Sequence, residues 1–70
     1  MGEYITNRVQ QLRLGKEVTQ EELAGVVGVS RQTISAIEKG HYTPSVHLAI
    51  KIATYFNRPV EDLFTITYER

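Results

Sequence analysis

Apolar residues recur at helical spacing along most of the chain. Near its start, Ile5, Val9 and Leu12 are separated by polar residues, and this spacing predicts a first helix over about 4–16. Segments with the same spacing predict four more helices, beginning near residues 20, 31, 45 and 60. In the fourth helix, the stripe predicted to face inward is Val46, Leu48, Ala49, Ile52, Ala53 and Phe56. The pattern therefore predicts a compact all-α domain of five helices.

Start and stop signals delimit the two central helices. Thr19 with Glu22 forms a capping box, in which each side chain accepts a hydrogen bond from the other residue's backbone amide. Ser30 is placed to cap the next helix, and Gly40 to end it. Gly28 lies where a tight turn requires a positive φ. Two short helices joined by such a turn predict a helix-turn-helix over about 19–39, whose second helix spans about 30–39.

The C-terminal segment changes from helical spacing to strict alternation. Phe64, Ile66 and Tyr68 alternate with polar residues, which is typical of a β-strand. In an otherwise helical chain such a strand has no partner for its backbone groups. We therefore expect residues 65–70 to form a dimerisation tail that pairs two copies as an antiparallel ribbon, with Phe64, Ile66 and Tyr68 in the interface. The alternative is a tail that frays.

Composition excludes several classes of protein. The 70 residues are 41% hydrophobic and 23% charged, as expected for one globular domain. The chain has no cysteine, and His41 and His47 lack acidic neighbours, so we expect no metal. It has no nucleophile–base pair and no phosphate loop, so we expect no cofactor and no enzymatic activity. No apolar run approaches the length of about 20 residues that spans a membrane, which favours a cytoplasmic protein without a membrane partner.

The charge is unevenly distributed. Eight basic and eight acidic residues cancel, which at first argues against a nucleic-acid partner. Residues 30–51, however, carry Arg31, Lys39 and Lys51 against Glu38, a net charge of +2, while each flanking segment carries −1. The middle of the chain is thus suited to a basic face opposite an acidic back.

The central motifs resemble those of a known family. The sequences TQEELA at 19–24 and GVSRQTISAIEKG at 28–40 closely resemble the lambda-repressor-like (Cro-repressor, xenobiotic-response-element) family of helix-turn-helix DNA-binding domains. The resemblance covers about residues 4–64, so we assign the DNA-binding domain to 1–64. One departure concerns Glu17, because the family often has glycine at this position. In this chain the glycine, Gly15, lies two residues earlier, which leaves the geometry of that connection open.

The resemblance implies roles for particular residues. The helix that opens at Ser30 would lie in the major groove of double-stranded DNA. The implied base-reading residues are Arg31, Gln32, Ser35 and Ala36. The implied phosphate-binding residues are Gln20, Ser30, Thr33, Lys39, His41 and Tyr42. Arg13 and Glu38 occupy positions that pair in relatives and would join the first helix to the recognition helix.

Each of these assignments has a simpler alternative. Arg31 and Gln32 could be ordinary solvated helix surface, and Gln20 an ordinary first-turn residue without a ligand. At the level of function, the resemblance implies a homodimeric repressor in a prokaryotic cell that reads a near-palindromic operator. The competing hypothesis is a protein-interaction module, such as the DNA-binding antitoxin of a toxin–antitoxin pair, with a second protein as its partner.

Overall fold

The computed structural model describes residues 2–69 and contains five helices and two strands. In chain order they are β1 (Glu3–Asn7), α1 (Val9–Gly15), α2 (Gln20–Val27), α3 (Arg31–Glu38), α4 (Val46–Tyr55), α5 (Val60–Leu63) and β2 (Phe64–Tyr68). The five predicted helices are therefore present. No helix within residues 2–69 is both long enough and apolar enough to cross a membrane.

The core lies between the helices, and each helix contributes at least one fully buried side chain to it. The largest of these side chains are Val9, Leu23, Ile34, Ile37, Ile52 and Leu63. The prediction for Val46 is wrong, because this residue is 76% exposed. Val46 begins α4, and Ile50, one turn later, is also exposed, so the two share a flank of the helix beside the buried stripe.

The predicted start signals cap their helices. Thr19 Oγ1 accepts from the Glu22 amide at 3.0 Å, and the Thr19 amide donates to Glu22 Oε1 at 2.9 Å, which completes the capping box. Ser30 Oγ accepts from the Thr33 amide at 3.2 Å. Gly28, between α2 and α3, has the expected positive φ, 79°. The capping box fixes the start of α2, and Gly28 and Ser30 fix the two ends of the turn that connects α2 to α3.

The first helix is shorter than predicted. It begins at Val9 rather than near residue 4, because residues 3–7 form β1 and hydrogen-bond to β2. Asn7 marks the change of structure: its Oδ1 accepts from the Val9 amide at 3.1 Å, and its Nδ2 donates to the Ile37 carbonyl at 2.9 Å. One side chain thus starts α1 and ties the end of β1 to α3.

The C-terminal strand has a partner within its own chain. β1 and β2 pair antiparallel, with Ile5 opposite Ile66 and Asn7 opposite Phe64. The expectation that β2 lacks an internal partner is therefore wrong. The apolar spacing predicts a helix in the N-terminal segment, and a helix there leaves β2 without a neighbouring strand. The segment instead forms β1, which satisfies the backbone groups on the inner edge of β2.

The connection from α1 to α2 passes through Glu17, which adopts a left-handed conformation with φ of 59°. The Glu17 amide donates to the Leu14 carbonyl, and the Val18 amide donates to the Arg13 carbonyl. The chain therefore makes a left-handed turn at the position where the resembled family often has glycine. A non-glycine residue bears the steric cost of this turn.

Candidate nucleic-acid interface

The exposed face of α3 follows from the position of its buried face. Ile34 and Ile37 are fully buried in the helical core, and Ala24 of α2 lets the two central helices approach closely. Arg31 and Gln32 are exposed, whereas Ser35 and Ala36 are half-buried. A depression of about 340 Å³ is lined by Arg31, Gln32, Ser35, Ala36, Lys39 and His41. The fold thus gathers all four candidate base-reading residues and two candidate phosphate-binding residues on one surface.

A buried ion pair joins α1 to the end of α3. Arg13 Nε donates to Glu38 Oε2 at 2.7 Å, and Arg13 Nη2 donates to Glu38 Oε1 at 3.3 Å. Their side chains are only 9% and 3% exposed. Arg13 Nη1 also donates to the Val18 carbonyl at 2.9 Å, so the guanidinium holds the connection after α1 as well. The two residues that the sequence singled out as a structural pair lie in contact.

The orientation of Glu38 determines the charge of the surface around this depression, which we term the recognition surface and which consists of Arg31, Gln32, Ser35, Ala36, Lys39 and His41. Glu38 is the one acidic residue between Arg31 and Lys39, and its carboxylate points inward onto Arg13. The exposed side of α3 therefore presents Arg31 and Lys39 without a competing carboxylate from the same helix. A zero net charge for the chain is compatible with a local basic surface, because this acid is neutralised inside the molecule.

Gln20, the first residue of α2, lies between Glu38 and Arg31. Its Nε2 donates to Glu38 Oε1 at 2.9 Å, and its Oε1 accepts a long hydrogen bond of 3.5 Å from Arg31 Nη1. An amide nitrogen has two donor hydrogens, so one remains for another acceptor. The resemblance implies Gln20 as a phosphate-binding candidate but does not reveal its two side-chain partners, because they lie on the other helix of the crossing pair.

Ser30 and Thr33 use part of their hydrogen-bonding capacity within the chain. Besides accepting from the Thr33 amide, Ser30 Oγ lies 3.1 Å from Thr33 Oγ1. One of the two hydroxyl groups donates its hydrogen to the other, so the hydrogen of the accepting hydroxyl group is free to bond elsewhere. Both residues stand at the N-terminus of α3, beside Arg31.

The loop after α3 returns beside the recognition surface. Gly40 has φ of 80°, and the amide of His41 donates to the Ala36 carbonyl at 2.9 Å. This turn keeps His41 at the edge of the depression and leaves Tyr42 exposed next to it. His41 thus lies on the same surface as Lys39, and Tyr42 follows it in the chain.

The three candidate interface residues of β2 differ in their surroundings. Phe64 packs against the helical core, whereas Ile66 and Tyr68 are 51% and 67% exposed. Sequence reasoning missed Asn7, which contacts the C-terminal part of α3. The consecutive β-favouring residues Tyr4, Ile5 and Thr6 were the available signal for the strand that positions it.

The family is established by comparison with known proteins. The model of a helix-turn-helix family matches residues 9–63, which is more than half of the chain. The chain belongs to this lambda-repressor-like helix-turn-helix family of DNA-binding transcription regulators, which are found in prokaryotes.

Several relatives are transcriptional regulators. An HTH-type transcriptional regulator of Methanocaldococcus jannaschii is 53% identical over 58 residues, which cover 83% of this chain and 88% of the relative. YgzD of Bacillus subtilis, also an HTH-type transcriptional regulator, is 48% identical over 63 residues, covering 90% and 96%. The phage transcriptional repressor RstR of Vibrio cholerae is 31% identical over 58 residues, covering 83% and 52%.

Solved structures share the fold. A protein from Bacteroides fragilis superposes with a TM-score of 0.79 at 28% identity, covering 87% of this chain and 98% of the other. The restriction-modification controller protein C.AhdI from Aeromonas hydrophila superposes with a TM-score of 0.73 at 29% identity, covering 79% and 83%. Both similarities extend over most of the chain.

Proposed function

We propose that this protein is a sequence-specific regulator that acts in the cytoplasm as a homodimeric repressor at a near-palindromic operator. The observation that carries the proposal is the exposed side of α3, which presents Arg31, Gln32 and Lys39 while Glu38 is buried against Arg13. Donors without a neighbouring acid suit the major groove, where base edges offer acceptors beside negatively charged phosphates.

Four residues are proposed to contact bases. The guanidinium of Arg31 has the geometry to donate two hydrogen bonds to guanine, and the amide of Gln32 can pair with adenine N6 and N7. Ser35 and Ala36 lie one turn further along α3, where a hydroxyl accepts or donates and a methyl group contacts thymine.

Six residues are proposed to contact phosphates. They are Gln20, Ser30, Thr33, Lys39, His41 and Tyr42. They lie at the N-terminal ends of α2 and α3 and in the turn after α3, which are positions on either side of the base-reading residues. The free amide hydrogen of Gln20 and the hydroxyl donor shared by Ser30 and Thr33 are the groups available for this contact.

The homodimer is proposed to form at the outer edge of β2. The Arg8 amide donates to the Leu63 carbonyl and the Glu69 amide to the Gly2 carbonyl, so the hydrogen-bonded pairs of the sheet join odd residues of 63–69 to even residues of 2–8. The backbone groups of Ile66 and Tyr68 consequently point away from β1. Phe64–Tyr68 has no lysine, proline or bulge to protect this edge. An antiparallel copy of the same strand satisfies it.

Repression follows from this arrangement. Two recognition helices related by a two-fold axis would read half-sites about one helical turn apart. A regulator bound across an operator excludes polymerase from the same DNA.

The test of base reading is selection of bound duplexes from a random DNA library by the full chain. We expect enrichment of a palindrome. Gln32→Ala should then weaken binding about 5-fold to 150-fold at one base pair and relax the choice there, corresponding to about 1–3 kcal/mol. Lys39→Ala should weaken all sequences alike and reduce the salt dependence of affinity. Gln10→Ala on α1 is the matched glutamine control and should change neither. Equal losses on every sequence from Gln32→Ala and Lys39→Ala would contradict the assigned roles.

The test of the dimer is sedimentation of Ile66→Pro. Proline removes the outward amide of residue 66 but leaves the inward amides of Thr65 and Thr67 that serve β1. We expect a folded monomer by circular dichroism and sedimentation. A variant that remains dimeric would overturn the β2 interface. Failure of the unmodified chain to enrich any duplex, with a second protein co-purifying in equal amount, would favour the antitoxin-type module instead.

A further inference from the structure

An apolar groove lies between the sheet and the start of α4, away from the recognition surface. Its volume is about 310 Å³, and its principal lining residues are Ile5, Pro44, Val46, Ile50, Val60 and Phe64. None of the described residues that line it is charged. Two of these residues, Val46 and Ile50, are 76% and 48% exposed. These exposed apolar side chains give the groove an apolar rim that a second protein can cover.

We propose that the occupant of this groove is the side chain of Tyr68 from a second copy of the chain. The inference rests on the homodimer proposed above and adds the contact that gives it affinity. Backbone pairing of two five-residue strands supplies few hydrogen bonds, and each contributes little net stability because it replaces hydrogen bonds to water. An aromatic side chain seated in an apolar groove is the kind of anchor that dominates the stability of an interface.

The pairing register directs Tyr68 to the groove. The outward backbone groups of β2 belong to residues 64, 66 and 68, so an antiparallel copy must align these residues with one another. The register centred on Ile66 is the one that pairs all five residues of the strand. In it, Phe64 lies directly opposite Tyr68 of the second copy, with their Cβ atoms about 5 Å apart.

The faces of the sheet agree with this placement. Side chains directly opposite each other in a sheet lie on the same face. Ile5 and Phe64, which line the groove, share one face, and Tyr68 alternates onto that face with Phe64. Tyr4 and Thr67 lie on the other face. In the dimer, each copy's Tyr68 therefore stands beside the other copy's Phe64, at the border of its groove.

The groove also fits tyrosine by size and polarity. A cavity of about 150 Å³ lined by apolar side chains binds a benzene ring in another protein, so about 310 Å³ accommodates a phenol ring. The opening leaves the hydroxyl group at the surface, where water satisfies it. Two copies with zero net charge do not repel each other, so the aromatic contact need not offset a long-range penalty.

The experiment uses Tyr68→Trp in the full chain, which otherwise contains no tryptophan. Tryptophan emission and its quenching by acrylamide are measured as protein concentration rises, with sedimentation on the same samples. We expect the emission to shift to the blue and the quenching to fall as the dimer forms. Adding Val46→Asp, at a residue that is 76% exposed in the folded chain, should abolish the shift and weaken the dimer at least about tenfold. Tyr4→Trp, on the opposite face, is the matched control and should keep solvent-like emission throughout.

The outcomes separate this inference from the proposed function. If the Tyr68→Trp chain dimerises while its tryptophan emission stays solvent-like, the groove contact is overturned and the homodimer stands. A chain that stays monomeric while it selects a DNA sequence overturns both the homodimer and the groove contact, but not DNA recognition. A blue-shifted emission that does not depend on protein concentration places the ring against its own chain and also overturns the inference.

Discussion

The helix-turn-helix unit, α2 with α3, and the sheet, β1 with β2, differ in the sequence distance over which their contacts form. The caps of α2 and α3 join residues three apart, and the contact from Gln20 to Arg31 spans eleven positions. The sheet joins Thr6 to Thr65 and Thr67 across 59 and 61 positions. The first unit is organised by neighbouring residues, and the second forms only when the ends of the chain meet.

The two regions also differ in how fully a single chain buries their apolar side chains and pairs their polar groups. Leu23, Ile34 and Ile37 are fully buried within the helical body, and Glu38 is paired with a buried guanidinium. The sheet leaves Ile66 and Tyr68 exposed, with the outer edge of β2 unpaired within the described chain. This contrast indicates that the helix-turn-helix unit is complete in a single chain, whereas we propose that the sheet and the adjoining groove are completed by a second chain.

The largest effect is expected from breaking the buried ion pair. Arg13→Ala leaves the carboxylate of Glu38 buried without its partner, which should lower the free energy of unfolding by about 3–5 kcal/mol. The exposed pair of Arg58 and Asp62, 3.7 Å apart, provides the control, because Arg58→Ala should cost at most about 1 kcal/mol. Urea denaturation of both variants checks the difference. Similar losses for the two would show that the burial of Glu38 does not matter.

Glycine substitutions test whether the turn of the helix-turn-helix is set locally. Gly28→Ala forces alanine into a left-handed conformation with φ of 79°, which should cost about 1–2 kcal/mol. Gly25→Ala, within α2 and with open space around its Cβ position, should instead stabilise the protein by about 0.5–1 kcal/mol. Thermal unfolding measures both. A gain from Gly28→Ala would refute the strained turn.

A substitution in the connection before α2 should increase the stability of the protein independently. Glu17 has φ of 59° without being glycine, so Glu17→Gly should relieve strain and raise the free energy of unfolding by about 1 kcal/mol. Glu17→Ala retains the strain and is the control for loss of the carboxylate. If both variants gain equally, charge rather than backbone conformation is responsible.

A proline in β2 tests whether the sheet is separable from the helical body. The Thr65 amide faces β1, so Thr65→Pro removes an inner hydrogen bond and should cost about 0.5–1.5 kcal/mol. We expect hydrogen exchange to accelerate in β1 and β2 while the amides of α2 and α3 stay protected. Loss of protection throughout the molecule would instead make the sheet part of one cooperative unit.

The smallest expected effect is a change in stability at acidic pH, caused by protonation of Glu22. Hydrogen bonds from the backbone amide of Thr19, and then from its side chain, lower the pKa of Glu22 in the folded protein. A group whose folded pKa is depressed stabilises the protein above its unfolded pKa, and that contribution is lost as the pH falls through the folded value. Stability measured below about pH 4 should therefore differ less between Glu22→Gln and the parent than at about pH 7. A difference between Glu22→Gln and the parent that does not change with pH would contradict the capping contribution.

Features whose interacting residues lie close together in the chain could be predicted from the sequence, and those whose partners lie far away could not. The caps at Thr19 and Ser30 and the left-handed Gly28 were predictable because their partners lie within four positions. Residues 4–7 were misassigned because apolar spacing near the N-terminus fits a helix, and only β2, about sixty positions away, makes the strand favourable. Val46 was misassigned because spacing alone does not show where the core ends along α4.

The features of the candidate DNA-binding site also differ in whether the sequence reveals them. The resemblance to the family supplied Arg31, Gln32, Ser35 and Ala36 as base-reading candidates, and helical period agrees for the last three, which lie away from the buried Ile34 and Ile37. The position of Gln20 between Glu38 and Arg31 could not, because it depends on the crossing of α2 over α3.

The amino-acid sequence by itself determined the five helices, their caps, the central turn and the family, since these depend on short-range spacing and on side chains that bond to nearby backbone. Only the tertiary structure decided that the N-terminal segment is a strand, that Glu38 turns inward to leave a basic surface, and that an apolar groove opens beside the sheet. Each of these depends on groups far apart in the chain, whose contact becomes favourable only after the helices have packed and closed the loops between them.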